Sequence, residues 1–562
     1  MTTNPTLRPT LFRPLPERYA PPRHPAPIDL QLAGNEGVPP RDLSLELSPE
    51  AFAQYPSTAD LERDLAAHFG VDARQVVVTA GADDALARAF RAVAGPGRSV
   101  VLPSPTFSML PRFAAAVGAE VVEVPWQEDW PLEGVLAATG PETSIIAVVS
   151  PNNPCGRTVS AGDLRRVAAA VPQALILVDA AYAEYADEDL TQVALELDNA
   201  VVFRTLSKAW GLAGLRVGYA IGSVEHVDWL RASGPPYPCS SASITLARRW
   251  WATGRAATAR AVERVRAERS VVADTFASLG VAVERSQGNF VLARPGADRA
   301  AWLVDALAGL GIGVRRFSGS LAGAVRIGMP GSEAGLQRLV SGIRAALQPE
   351  AMLYDMDGVL IDVRGSYRAA IRRTAAFFGA EVSEADIVAR KAQGQANNDW
   401  VVTRELLAER GVEVPLGAVI DRFEALLDAG LWTQERPLVD ALLDVPRAVV
   451  TGRPRRDAWR TLERQEWRFG AVVTMEDAPA KPSPEPVRLA LTQLEVRAAW
   501  MIGDTPDDLR AARAAGVVPI GVCAPGEAVR DALFAAGAAR VLESVDDLSA
   551  LWALAGGAEC GA

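Results

Sequence analysis

TLSKAWGLAGLRVGY, residues 205–219, is the stretch on which the reading of the fold turns. Lys208 follows an apolar β-rich run and stands among hydroxyls (Thr205, Ser207) and glycines (Gly211, Gly214, Gly218), with Arg216 further on. Glycines and hydroxyls allow close approach to a phosphate, a guanidinium can grip it in a fork, and the lysine supplies an amine. Working outward, residues from about 58 to 225 alternate helical stretches (ADLERDLAAHFG, DDALARAFRAVAG) with short β-rich runs (VVVTAG, SVVLPS, EVVEVP, SIIAVVS, LILVDAAY). That alternation predicts an α/β domain with a mostly parallel sheet and ligands at the strand C-termini. Residues 240–348 read as one long helical segment, then mixed strands (NFVLARP, GIGVRRF, AVRIGMP) and a closing helix, a smaller α+β domain. A second α/β unit begins at AMLYDMDGVLI after the break at 348–350, with a wholly helical insertion between about 365 and 445. Residues 1–45 lack periodicity and read as an arm packed onto something else.

Composition narrows the function classes. The 562 residues suffice for about three to five compact units, and 49% hydrophobic with 22% charged residues is an ordinary globular balance. A net charge of −11 argues against a nucleic-acid backbone as main partner. No apolar run approaches the roughly 18 residues of a membrane span, and the Pro- and Arg-rich N-terminus is no secretory signal, so a soluble cytoplasmic protein is expected. Three scattered histidines and four cysteines without a CxxC pair predict neither a zinc site nor a disulfide framework. Of 57 basic residues only Lys208, Lys391 and Lys481 are lysines. Where a generic positive charge is so consistently Arg, a lysine points to work a guanidinium cannot do, such as forming an imine.

Upstream of Lys208, Asp179 ends the strand ALILVD with Tyr182 three residues later, placing a buried carboxylate where it can keep an aromatic nitrogen protonated. SPNNPCG sets Asn153 in a tight loop, and TAGADDALARAF opens a helix from a Gly-containing loop whose free N–H groups suit a phosphate. This ordered set resembles the fold-type I pyridoxal-phosphate aminotransferases over roughly residues 15–348. The resemblance implies Lys208 as Schiff-base lysine, Asp179 as pyridinium partner, Asn153 and Tyr182 at the ring hydroxyl, and Ala82, Asp83, Thr205, Ser207 and Arg216 around the phosphate. Within that superfamily PSPTFSMLPRF and QYPSTADLERDLA are similar to the histidinol-phosphate aminotransferase branch. Phe107 then stacks on the ring, Tyr55 reaches a neighbouring subunit's cofactor phosphate in a homodimer, and Asn35, Arg315 and Arg326 bind substrate. The stretch GNEGVPP keeps Asn35 and Glu36 of that branch's motif but not the rest, and Leu110 stands where the branch commonly has Tyr.

In the second α/β unit LYDMDGVLID ends a strand with Asp355 and Asp357 two apart, facing one way in extended geometry. One carboxylate can attack phosphorus while the other handles the leaving-group proton. RAVVTGR supplies Thr451, KPSPEP supplies Lys481, and WMIGDTPDD supplies Asp504 and Asp508. Clustered carboxylates without histidine favour Mg²⁺. The series resembles the haloacid dehalogenase superfamily over roughly residues 350–562. That resemblance implies a helical cap, an aspartyl-phosphate on Asp355, Asp357 as acid then base, phosphoryl contacts from Thr451 and Lys481, and a metal held by Asp355, Asp357, Asp504 and Asp508. Lys391 lies in the cap, near Gln393, Asn397, Asn398 and Asp399, and reads as a substrate contact or a solvated charge.

The resulting expectation is a doubly fused α/β enzyme. Residues 1–348 form the aminotransferase, with a large domain at about 46–235 and a small one from about 1–45 and 236–348; residues 349–562 form the capped Rossmannoid hydrolase. The expected chemistry is transamination of a phosphorylated substrate with glutamate or 2-oxoglutarate, coupled to phosphate monoester hydrolysis, in a homodimer without nucleic-acid or membrane partners. Alternatives are a transaminase or decarboxylase for another phosphorylated amino acid, a phosphonate-cleaving second domain using Lys391, or a second domain that binds without turnover.

Overall fold

The computed structural model describes residues 24–44, 46–394, 396–524 and 528–556. Residues 1–23 of the arm and Cys560 lie outside the described residues. The first large sheet has seven strands, ordered 76–79, 218–221, 200–205, 175–179, 143–149, 99–104 and 120–125. All run parallel except Gly218–Ile221, which is antiparallel to both neighbours. Strands such as Thr143–Val149 are buried at every position, as expected of a parallel sheet covered by helices on both faces.

The small domain is a four-stranded antiparallel sheet (315–316, 325–328, 290–294, 282–283) backed by the helices Ala297–Gly309 and Glu333–Leu347. Leu30–Gln31 of the arm pairs in parallel with Ile312–Gly313 and ties the arm to this domain. The long helical segment expected after residue 240 is two helices, Ser241–Thr253 and Arg255–Ser278. The break falls at Gly254, where a Cβ would sit 2.4 Å from the Trp250 ring.

The third unit is a six-stranded parallel sheet ordered 471–473, 447–450, 351–354, 499–503, 518–522 and 540–542. Its insertion carries the helices Tyr367–Phe377, Glu384–Ala392, Asp399–Ala408 and Leu416–Asp428. It is not wholly helical: Arg436–Pro437 pairs with Ile361–Asp362 to form a short antiparallel ribbon at its base.

This unit is docked, not tethered. Trp500 on the strand Ala499–Gly503 is fully buried, 4.7 Å from the Trp302 ring of the small domain, and donates its indole N–H to the Ala345 carbonyl at 2.7 Å. Trp302 does the same to Ala346, and Trp552 closes the cluster 5.3 Å from Trp500. Ion pairs rim the seam: Arg513 with Asp29 of the arm at 2.5 Å and Arg540 with Asp305 at 2.9 Å. The helices 297–309 and 333–347 thus serve two sheets, one on each side.

Trp500→Ala should therefore cost about 3–5 kcal/mol. In a denaturant titration the two units are expected to lose structure together, in one shifted transition; separate transitions would contradict a shared core.

Candidate active sites

In the seven-stranded sheet the carboxyl ends of adjacent strands deliver the first site. Asp179 ends its strand, Thr205 ends the next, and the turn that follows presents Ser207 and Lys208. Lys208 Nζ donates to the Gly34 carbonyl at 3.0 Å and lies 5.6 Å from the centre of the Tyr182 ring. The Arg216 guanidinium spans Ser207 Oγ (3.4 Å) and the Asp83 carboxylate (3.4 Å) at the N-terminus of the helix Ala82–Val93. Gly81 caps that helix with φ +81°, and a Cβ there would meet the guanidinium at 2.6 Å, so only glycine leaves this cradle open. A cavity of about 580 Å³ is lined by Ala82, Asp83, Phe107, Asn153, Asp179, Tyr182, Thr205, Ser207, Lys208, Arg216, Arg315 and Arg326. Burial pushes the Asp179 carboxyl up to about 7, with Asp83 adding to the rise while the Ala181 N–H and Lys208 oppose it.

Three expected contacts are placed differently. Asn35 does not line the cavity: it is buried behind it at φ +53° and donates to the Tyr182 hydroxyl at 3.3 Å, so it orients that tyrosine. Asn153 Oδ1 accepts from Arg326 Nη1 at 2.5 Å, so the two side chains hold each other. Tyr55 is 80% exposed and stacks on Tyr237 at 4.4 Å, outside the cavity of its own chain. Phe317, Leu321 and Met109 line the cavity and were missed, because an apolar wall carries no motif.

The second site sits at the ends of three neighbouring parallel strands, which bring Thr451, Asp355 and Asp504 side by side. Lys481 Nζ lies 2.5 Å from both Asp355 and Asp508 and also donates to the Val450 carbonyl at 2.9 Å. Burial alone would lower the lysine, but the two carboxylates outweigh it and hold it above its ordinary value. Burial, with repulsion from Asp508 and Asp357, pushes the Asp355 carboxyl up to about 7 against the pull of Lys481. Gly358 turns at φ +77°, and a Cβ there would lie 2.0 Å from an Asp504 oxygen, so glycine is required for the two loops to meet.

Asp355, Asp504 and Asp508 each offer an oxygen within 4.8 Å of the others, an all-oxygen donor set that suits a hard divalent cation. Asp357, expected among the ligands, stands outside this cluster. Its carboxylate is held by Arg453 Nε at 2.6 Å. Arg453 was not picked out, although it follows Thr451 by two residues; its guanidinium is 1% exposed, pairs also with the buried Glu435 at 2.9 Å, and lies over the Tyr367 ring. The cap closes over a cavity of about 40 Å³ lined by Asp355, Asp357, Thr451, Asp504, Lys391, Asn397, Asn398 and Asp399. Lys391, 13% exposed, therefore lines the site and is no solvated surface charge.

More than half of the chain, residues 29–343, matches the family model for aminotransferase class I and II. The chain belongs to this aminotransferase family. Residues 349–516 match the model for haloacid dehalogenase-like hydrolases, which supplies the second unit. Among curated relatives, the histidinol-phosphate aminotransferase of Cereibacter sphaeroides (strain KD131 / KCTC 12085) is 35% identical over 330 residues, 56% of this chain and 90% of the relative. Histidinol-phosphate aminotransferase 1 of Trichormus variabilis is 32% identical, covering 51% of this chain and 83% of the relative. The solved histidinol-phosphate aminotransferase of Sinorhizobium meliloti, in complex with pyridoxal-5'-phosphate, matches with TM-score 0.50 at 25% identity, covering 56% of this chain and 90% of that one. No helix among the described residues of this aminotransferase is long and apolar enough to cross a membrane.

Removing Arg453 leaves Glu435 and Asp357 as uncompensated charges, one of them fully enclosed. Arg453→Met should cost about 3–5 kcal/mol in a urea titration, and adding Glu435→Gln should recover part of that loss. A double variant no more stable than the single one would disprove the pairing energetics.

Proposed function

We propose that this aminotransferase is bifunctional: pyridoxal-phosphate-dependent transamination of a phosphorylated substrate of the histidinol-phosphate type, with glutamate or 2-oxoglutarate, and Mg²⁺-dependent hydrolysis of a phosphate monoester. The observation that carries the first half is the buried Asp179 in one cavity with Lys208 and the Arg216 cradle. A carboxyl so costly to ionise alone is suited to a cationic ring nitrogen, and the glycine-opened cradle suits a phosphate. When bound, the cofactor supplies the carbonyl that takes the amino group and a ring that accepts the electron pair of the breaking C–H bond. Asp179 would keep the proton on the ring nitrogen, and Lys208 Nζ would carry the proton removed from the substrate carbon. Thr205, Ser207 and Arg216 would hold the phosphate, Asn153 and Tyr182 the ring hydroxyl, and Arg315 and Arg326 the acidic end of the substrate. Tyr55, exposed and turned away from its own cavity, supports a homodimer in which it serves the neighbouring site.

In the second unit an Asp355 oxygen would attack phosphorus as the bond to the leaving-group oxygen breaks, Asp357 protonating that oxygen. Water would then attack the acyl-phosphate and return its proton to Asp357, releasing phosphate and the free carboxylate. Lys481 and Thr451 would offset charge on the phosphoryl oxygens; Asp355, Asp504 and Asp508 would hold Mg²⁺, which when bound neutralises further charge there. Lys391 is paired with Asp399 at 3.0 Å, which weighs against an imine-forming role, since that needs a free amine.

The test uses purified protein with both cofactors, histidinol phosphate and 2-oxoglutarate, following glutamate and inorganic phosphate. Asp355→Asn should abolish phosphate release by ~10³-fold or more while glutamate formation persists, and Lys208→Ala the reverse. Glutamate without phosphate would leave the second unit with another substrate.

Asp179 also couples stability to pH. Its folded pKa, raised to about 7, means its stabilising contribution is full below about pH 4 and lost as pH rises through about 7. A cation on the cofactor nitrogen removes that loss. The gain in Tm on adding pyridoxal phosphate should therefore grow from about pH 5 to about pH 8, reflecting a few kcal/mol, and Asp179→Asn should flatten the growth.

A further inference from the structure

Two cap side chains take no part in the hydrolytic steps above. Lys391, on the helix Glu384–Ala392, and Asp399, the first residue of the helix Asp399–Ala408, face each other at 3.0 Å. Only 13% and 12% of these side chains is exposed, and both line the cavity that holds Asp355, Asp357, Thr451 and Asp504. Their placement is fixed from outside. The Ala396 N–H and Asn397 Nδ2 donate to the buried Asp507 at 3.1 and 2.9 Å, and Asn397 Nδ2 also to the Lys481 carbonyl at 2.9 Å. Asn398 caps the second helix, accepting from Trp400 and Val401 N–H at 3.1 Å. Both asparagines are thus committed to holding the loop, Arg453 is taken up by Asp357 and Glu435, and the charges that remain for a leaving group beside the phosphoryl-site carboxylates are Lys391 and Asp399.

An enclosed ion pair is a poor device for stability alone, because desolvation offsets the attraction. Here it also lies where a substrate must enter. Burial works to lower the Lys391 ammonium, but Asp399 and, beyond it, Asp504 and Asp357 hold it above its ordinary value against Arg368. The lysine already feels the carboxylates around the phosphoryl position, so an arriving phosphate dianion competes with Asp399 for it.

We propose that the Lys391–Asp399 pair reads the leaving group by exchange of ionic partners, selecting phosphate monoesters whose leaving group carries an ammonium group. The inference rests on the hydrolytic reading of the second unit. Lys391 and Asp399 satisfy each other at 3.0 Å. On substrate binding Lys391 turns to the phosphate, and Asp399 is satisfied only by a cation on the leaving group. A neutral leaving group leaves a buried carboxylate unpaired, and a carboxylate-bearing one meets it as a like charge. The product of an aminotransferase carries an amine, so the same chemical feature would join the two units.

The experiment compares kcat/KM for phosphate release by the full-length protein with Mg²⁺ from three compact esters: ethanolamine phosphate, propyl phosphate and glycolate phosphate. The expected order is ammonium, neutral, carboxylate, with roughly tenfold or more between the first two. Asp399→Asn should bring that first ratio close to one. Lys391→Met should raise KM for all three while keeping their order. Retained glutamate formation in each variant reports that the chain is folded. Fastest turnover of the carboxylate ester, abolished by Lys391→Met, would overturn the proposal in favour of the lysine as reader. Equal turnover of the three, or equal slowing by Asp399→Asn, would make the pair structural. No phosphate from these esters or from histidinol phosphate would instead sink the hydrolytic reading and the proposal with it.

Discussion

The indole of Trp500, buried between two sheets and bonded to a carbonyl of the last small-domain helix, is the contact on which the rest of the architecture depends. Apolar burial is non-directional and would let the two units slide, whereas an indole N–H donated to one particular carbonyl fixes a register. Trp302 and Trp552 enlarge the contact, and the Arg513–Asp29 and Arg540–Asp305 pairs add orientation at its rim. The helices 297–309 and 333–347 are apolar enough to serve the small-domain sheet on one side and the hydrolase sheet on the other.

Both candidate sites follow one rule. Parallel strands end in side chains that point into the crevice beyond the sheet, and the loops there are free to carry chemistry. This is why Asp179, Thr205 and Lys208 in one unit, and Asp355, Thr451 and Asp504 in the other, are legible in the sequence: each lies at or just past the end of a β-rich run. Residues that act from further away gave no such signal. Arg453 reads as one arginine among many, and only the fold shows it bridging Asp357 and Glu435 across almost a hundred residues of chain. Asn35 was legible as a polar residue near a motif, but its place behind Tyr182 depends on a left-handed backbone that no spacing rule announces. The helix break at Gly254 was hidden by helix-favouring, Ala- and Arg-rich sequence on both sides, and the docking seam by tryptophans that look like ordinary core.

Lysine is scarce in this chain, and its three positions coincide with the two candidate sites. Lys208 and Lys391 line the two cavities and Lys481 is buried between Asp355 and Asp508, each a compact charge beside a carboxylate or carbonyl oxygen. Structural ion pairs elsewhere, such as Arg88–Asp84 and Arg204–Asp189, are made by arginine.

The seam also bears on how such a chain can change over generations. Because the hydrolase sheet is covered by helices of the aminotransferase, a gene break at the boundary near residue 349 would present tryptophan-lined faces to solvent on both fragments. A lineage that no longer used one candidate site could lose its carboxylates one by one and still be obliged to keep the fold that carried them. The shared core holds the two sites at a fixed one-to-one stoichiometry and makes point substitution, rather than domain loss, the open route of divergence.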